Sequence, residues 1–252
     1  MDELPARRAL SFGSVAARYA LHRPGYPDEA VAWVLESLPN SARILDLAAG
    51  TGKLTEAILR CGIPATSVLA VEPDAGMRAE LRRRLPQIAV RPGSAEQIPA
   101  DDGALNAVLV GQAFHWFDPD RALAEIARVL QPGGELAVLG NTEDDSVAWV
   151  AELIEAAQAA RTDERIGRGF ADIPEHPAFS GVQQRRFHWR WPRTIESLLE
   201  NISTHSWILI SPPDQRTAAF GVIRRFLEQH PATRDGAFEL PMQTVVLRTT
   251  RT

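Results

Sequence analysis

The chain has 252 residues, 45% of them apolar and 23% charged, which suits one globular α/β domain with a modest elaboration. A formal charge of −5 argues against general nucleic-acid binding, and no apolar run approaches the ~20 residues of a membrane helix. Cys61 is the only cysteine, which excludes an internal disulfide and a multi-cysteine zinc site, and the first residues carry no secretory pattern, so a cytoplasmic location is expected.

Residues 1–28 read as a loop and lid segment. A helix follows over 27–38, with Asp28 and Glu29 in the first turn, where the helix dipole favours acids. The run Ile44-Leu45-Asp46-Leu47 predicts a buried strand that passes through Ala48-Ala49-Gly50-Thr51-Gly52 into a helix. Residues 67–74 predict a second strand ending in Glu72, followed by a helix from Ala75 through Met77 and Leu81. A third strand at 88–90 leads into the loop Gly93-Ser94-Ala95-Glu96-Gln97-Ile98-Pro99. A fourth at 107–110 leads into Gly111-Gln112-Ala113-Phe114-His115-Trp116-Phe117. A helix at 119–130, a Gln131-Pro132-Gly133-Gly134 turn and a strand at 135–139 complete the alternation, which predicts βαβ units and a mainly parallel sheet.

The C-terminal part reads as a helix at 145–161, a loop at 162–181, a strand at 183–191, a helix capped by Thr194, a helix at 214–229 and a strand at 243–248. Arginines and aromatics mix over 185–191 as they do in single-strand nucleic-acid binders. However, Phe187, Trp189 and Trp191 alternate with Arg186, His188 and Arg190, a period of two that predicts a strand with one buried and one wet face. Arg82-Arg83-Arg84, with Arg78, reads as a solvated helix face whose stems cover apolar surface.

The turn after the first strand carries the most chemistry. A phosphate-binding Walker loop needs a glycine where Leu47 stands and a Ser or Thr where Leu54 stands, so it is excluded. The dinucleotide pattern G-x-G-x-x-G is matched at Gly50 and Gly52 but meets Thr55 at its third position, which leaves a nicotinamide-dependent oxidoreductase as a weaker alternative. The pattern acidic-x-x-x-G-x-G is met in full by Asp46, Gly50 and Gly52. An acid at the strand end suits a ligand with positive charge, such as an ammonium or a sulfonium. Glu72 follows Gly52 by 20 residues, the spacing at which an acidic side chain on the neighbouring strand binds ribose hydroxyls. Asp46, Glu72, the 94–97 loop and the 111–116 segment all fall at predicted strand C-termini, so they can line one crevice.

These blocks, with Glu125-Ile126-Ala127-Arg128-Val129-Leu130-Gln131-Pro132-Gly133-Gly134, resemble the class I S-adenosylmethionine-dependent methyltransferases of the type 11 group over residues 12–140. The segments Tyr19-Ala20-Leu21-His22-Arg23-Pro24-Gly25-Tyr26-Pro27 and Ala113-Phe114-His115-Trp116-Phe117-Asp118 are similar to the trans-aconitate methyltransferase-like branch. The resemblance implies one Rossmann-like, doubly wound domain with a seven-stranded, mainly parallel sheet, an antiparallel C-terminal edge hairpin and a small helical cap. It divides the chain into a lid and helix at 1–42, a cofactor core at 43–140 and C-terminal strands with a substrate cap at 141–252.

The resemblance also implies roles. Ala48, Gly50, Thr51 and Gly52 would meet the methionine part of S-adenosylmethionine, oriented by Asp46, with Glu72 on the ribose. Pro73 and Met77 would pack on the adenine, while Ser94, Ala95 and Glu96 would meet its edge. Gln112 would lie near the methionine moiety, and Tyr19 and Arg23 would approach its carboxylate. His115 and Trp116, with His205 and Trp207 from the cap, are candidates for the acceptor pocket, with His115 as a base if the acceptor is a hydroxyl. Arg23, Arg168 and Arg193 are candidates for an anionic acceptor. The activity implied is methylation of a small molecule, at a carboxylate or hydroxyl oxygen, by a monomer or homodimer that needs no metal. A non-catalytic S-adenosylmethionine-binding protein on the same fold is the other alternative.

Overall fold

The structure, a computed structural model, describes residues 16–159 and 172–252. The first 15 residues of the expected lid, the end of the expected helix at 145–161, and the first half of the 162–181 loop, with Arg168, lie outside the described residues.

Two short helices, α1 (Ala16–His22) and α2 (Asp28–Leu35), precede the sheet. Then β1 (Ile44–Leu47), α3 (Lys53–Arg60), β2 (Val68–Val71), α4 (Ala75–Arg84), β3 (Ala89–Arg91), β4 (Leu105–Gly111), α5 (Pro119–Val129) and β5 (Leu130–Glu143) alternate. The C-terminal part runs α6 (Ala148–Ala159), β6 (Gln183–Thr194), α7 (Ile195–Ser203), α8 (Ser206–Ile210), α9 (Pro213–Gln229) and β7 (Ala237–Thr250).

The sheet order is β3-β2-β1-β4-β5-β7-β6, parallel from β3 to β5 and antiparallel where β7 meets β5 and β6. This is the expected seven-stranded sheet with its antiparallel edge. All four residues of β1 are buried, because helices cover both faces of a parallel sheet. One face packs Val31, Val34, Leu54 and Ile58, and the other packs Leu123, Ile126 and Val129. The amphipathic period of α3 and α5 supplies these residues, and Asp118 starts α5 by accepting from Arg121 N–H.

Several elements differ from the sequence reading. The Gln131–Gly134 turn lies inside β5, as an outward excursion between the Leu105–Leu130 and Ala107–Glu135 pairs. Gly133, at φ +77°, makes the excursion possible, and its N–H is taken by the Arg251 carbonyl at 2.9 Å. The strand expected at 243–248 spans Ala237–Thr250. Its extra length pairs with β6 from Arg190–Pro241 to Thr194–Ala237, beyond the last β5 partner at Glu143–Met242. A two-stranded ribbon therefore projects past the sheet, and its apolar side packs with α6, α7 and α9 in a separate cluster. The alternation over 186–191 is as the sequence pattern predicts: Phe187 is buried, Trp189 and Trp191 are half-buried, and Arg186, His188 and Arg190 are exposed. No described helix is long and apolar enough to cross a membrane.

Leu109, in the central strand β4, has no exposed surface. Leu109→Ala is expected to cost about 2–5 kcal/mol of unfolding free energy in a denaturant titration. A cost below about 1 kcal/mol would contradict its place in the core.

Candidate functional site

Strand order reverses between β1 and β4, because β2 and β3 lie on one side of β1 while β4 and β5 lie on the other. The helices after β1 and β4 leave on opposite faces, which opens a crevice at the carboxyl ends of these strands. A cleft occupies that place. The β1 turn contributes Asp46 and residues 48–51, β4 contributes Gly111 and Gln112, β5 contributes Asn141, and the N-terminal segment contributes Tyr19, Arg23, Pro24 and Tyr26. Lys53 and Leu54 complete it.

The turn needs its glycines for different reasons. Gly50 has φ +56° and Gly52 has φ +86°. A Cβ on Gly52 would also come within 3.0 Å of Leu81 Cγ, so this glycine lets α3 and α4 pack closely. Ala48 (φ +56°) and Gln112 (φ +59°) are the positive-φ non-glycine residues among those described, and both line the cleft. Such strain persists only where the surroundings over-determine it. Gln112 is fixed by its N–H to the Leu139 carbonyl at 2.9 Å and its Nε2 to the Asn141 carbonyl at 2.7 Å.

Asp46 is fully buried. Its Oδ2 accepts from Thr55 Oγ1 at 2.5 Å, while Oδ1 has no partner. Burial pushes its carboxyl up to about 7, against the opposing pull of Thr55. Two further orphan atoms belong to cleft residues: Thr51 Oγ1 and Arg23 Nε. Of the five buried side-chain polar atoms without partners among the described residues, three are therefore on this cleft. Buried polar groups are ordinarily paired, so their concentration marks a place built for something else to bind.

Glu72 is also buried, and it holds the turn from beneath. Its Oε2 accepts from Gly50 N–H and its Oε1 from Asp74 N–H, each at 2.8 Å. Burial raises its carboxyl above the usual range despite those bonds. Pro73 follows directly, and its carbonyl accepts from Arg78 Nη1 at 2.6 Å. Met77 and Ala95 are buried, and Met77 N–H caps on Asp74. Ser94 and Gln97 bridge each other through their backbones, and Glu96 Oε1 accepts from Asp118 N–H at 3.1 Å. These residues stand around Glu72 and α5 and do not line the cleft itself.

The acceptor candidates lie elsewhere. His115 and Trp116 form a 3₁₀ turn after β4, with ring centroids 4.5 Å apart. His115 is exposed at its edge, and the protein packed around its base pushes its imidazole below the ordinary value. His205 precedes α8, and Trp207 packs on the cap cluster. None of the four lines the cleft.

Sequence reasoning placed Gly111 at the crevice but missed Tyr26, Lys53 and Asn141. Tyr26 is buried with its hydroxyl against Gly111, where a Cβ would come within 2.5 Å of Oη. The apolar surroundings of the ring and a glycine ending a strand were the only available signals. Arg84 also corrects the solvated-face reading. Its Nη1 donates to the Thr51 carbonyl at 2.7 Å and its Nη2 pairs with Glu56, so it braces the turn, whereas Arg83 pairs with Glu80 at the surface.

Residues 45–138 match the family described as Methyltransferase domain. An uncharacterised methyltransferase of Mycobacterium tuberculosis is 40% identical over 243 residues, covering 96% of both chains. A malonyl-[acyl-carrier protein] O-methyltransferase of Methylococcus capsulatus is 34% identical over 145 residues, covering 54% of this chain and 52% of that one. Among solved structures, a protein of Anaeromyxobacter dehalogenans assigned as a type II methyltransferase superposes with a TM-score of 0.66 at 20% identity, covering 91% of this chain and 97% of that chain.

The Asp46 carboxyl titrates near 7 in the fold and ordinarily near 3.8, so the folded state holds its proton longer than the unfolded state does. Its contribution to stability is therefore greatest below about pH 4, falls as pH rises to about 7, and is flat above that. Asp46→Asn is expected to remove this decline. In denaturant titrations, the variant minus wild-type stability should rise by up to a few kcal/mol between those limits, and a constant difference would refute the raised value.

Proposed function

The chain belongs to the class I S-adenosylmethionine-dependent methyltransferases, and we propose that it methylates a carboxylate or hydroxyl oxygen of a small-molecule acceptor. The observation that carries the placement of the donor is the orphan triplet on the cleft: Asp46 Oδ1, Thr51 Oγ1 and Arg23 Nε. An acceptor, a hydroxyl and a cationic donor are the set that an amino acid ammonium and carboxylate would satisfy. Arg23 takes the carboxylate, with its guanidinium steadied over the Tyr19 ring at 5.1 Å and by the Thr204 carbonyl at 3.2 Å. Asp46 faces the ammonium, and the positive-φ backbone at Ala48 and Gln112 shapes the walls.

Glu72 takes the ribose hydroxyls. Each of its oxygens already holds one backbone N–H, which aims the carboxylate and leaves a second lone pair on each oxygen for a hydroxyl. Pro73 and Met77 wall the adenine, with Ser94, Ala95 and Glu96 at its edge. Bound there, S-adenosylmethionine supplies a sulfonium-activated methyl group and leaves as S-adenosylhomocysteine. The protein's own work is alignment and exclusion of water, for which proximity supplies about 7–11 kcal/mol.

On the acceptor side, Lys53 supports an anionic partner. It lines the cleft at the start of α3, and burial followed by the nearby Arg84 pushes its ammonium below the ordinary value. Among the described residues no carboxylate forms an ion pair with it. Arg193 is half-buried, stacked 3.6 Å from Trp191, and donates to its neighbour's carbonyl. The O-methyltransferase relative, which is named for methylating a carboxylate-bearing malonyl group, agrees with this chemistry. His115, His205, Trp116 and Trp207 complete the acceptor side. His115, neutral at pH 7, serves as base only for a hydroxyl, because a carboxylate is already ionised. The described residues act as one unit, with those of 16–42 closing the cleft and those of 141–159 and 172–252 covering the acceptor.

Incubation with S-adenosylmethionine and an acceptor library of carboxylates and alcohols is expected to yield S-adenosylhomocysteine with at least one of them. Turnover confined to nucleic acid or protein acceptors would overturn the proposal. Glu72→Ala is expected to weaken S-adenosylhomocysteine binding at least about tenfold in calorimetry, and unchanged affinity would sink the ribose assignment. Affinity for the donor should rise as pH increases through about 7, as Asp46 ionises to meet the ammonium. A profile flat from pH 6 to pH 8 would contradict that pairing.

A further inference from the structure

Asn141 stands at the C-terminal end of β5, directly across from Thr244 of β7. Every polar atom of its side chain is engaged. Its Nδ2 donates to the Gly25 carbonyl at 2.8 Å, and its Oδ1 accepts from Thr244 Oγ1 at 2.6 Å. Its own carbonyl accepts from Gln112 Nε2. Trp189 Nε1, on the neighbouring strand of the ribbon, donates to Thr244 Oγ1 at 3.0 Å.

The direction of this chain is fixed by chemistry. An indole N–H only donates, so the Thr244 hydroxyl accepts from Trp189 and gives its proton onward. Asn141 must then present its oxygen to Thr244, which turns its amide N–H₂ towards Gly25. Gly25 lies in a strap, residues 23–26, between α1 and α2. Three of the strap's four residues, Arg23, Pro24 and Tyr26, line the cleft. Other contacts hold the strap at its ends, Arg23 to Thr204 and the Tyr26 carbonyl to Arg60 Nη2 at 2.8 Å. Asn141 holds its middle, and through Thr244 and Trp189 it does so from the ribbon that carries the cap.

We propose that Asn141 is a positioning residue, which sets the strap over the cleft so that Arg23 meets the cofactor's carboxylate. This rests on the reading of Arg23 given above. Removing the Gly25 bond frees the strap's middle, and the cost is felt in cofactor affinity because Arg23 must then be ordered on binding. Asn141→Asp keeps the acceptor for Thr244 but places a carboxylate against the Gly25 carbonyl. Thr244→Val keeps the shape and removes the link between Trp189 and Asn141.

The test is calorimetric binding of S-adenosylhomocysteine to the full chain, with the thermal midpoint of each ligand-free variant as a check on folding. Asn141→Asp is expected to weaken binding about tenfold and Thr244→Val about threefold. In combination with Arg23→Ala, Asn141→Asp should add less than about twofold, while with Glu72→Ala its effect should multiply in full. A purely structural role would multiply in both backgrounds, and that result would overturn the inference. So would Thr244→Val or Asn141→Asp with wild-type affinity beside a weakened Arg23→Ala. Unaltered affinity in Arg23→Ala would overturn the inference together with the carboxylate reading beneath it, which separates the two failures.

Discussion

Asp46 lies near the end of β1 with one oxygen on Thr55 and the other without a partner, at full burial. A buried carboxylate with half its hydrogen-bonding capacity unmet is costly, and it persists only if the surroundings leave it no way out. The neighbouring features hold it there. Thr55 comes from the helix that the glycine turn begins. Glu72 fixes Gly50, Arg84 fixes the Thr51 carbonyl, and Leu81 fills the space that a side chain on Gly52 would need. The turn is thus over-determined from three elements, and the residue with the unmet oxygen lines the cleft.

The opposite wall is assembled by a different principle. Tyr19, Arg23 and Tyr26 reach the cleft from a segment outside the sheet, and they are held by the Arg23–Thr204 bond, the Arg18–Glu200 pair and the amide of Asn141. The exposed Arg18–Glu200 pair contributes little energy. The buried contacts of Tyr26 against Gly111 and the Asn141–Thr244 bond contribute more, because their alternatives leave polar groups unpaired or a strand-end glycine uncovered. This wall of the cleft and the cap therefore share a support in the β6–β7 strand pair.

The strand–helix alternation was readable because each element buries a periodic apolar face, and the apolar runs at 44–47 and 107–110 are buried as their patterns require. Boundaries were harder to read. The excursion at 131–134 looked like a turn because its residues are turn formers, but its ends pair with β4 and the strand runs through it. The length of β7 was hidden because Pro241 and Gly236 mark breaks in a sequence, whereas the ladder to β6 carries on across Pro241. On the site, Asp46, Gly50, Gly52 and Glu72 were legible because local backbone geometry and a fixed spacing leave a mark in the sequence. Tyr26 and Asn141 leave little, since each acts through a partner far away in the chain.

By itself the sequence determined a parallel sheet with an acidic, glycine-turned strand end and a second acid 20 residues on, because these depend on period, propensity and short-range geometry. Tertiary structure decided that the three orphan atoms of Arg23, Asp46 and Thr51 share one cleft. It also decided that Arg84 serves the turn, and that Asn141 joins the strap to β7 at Thr244, 103 residues away in the chain. Contacts of that range are fixed by packing of whole elements, and no local pattern encodes them.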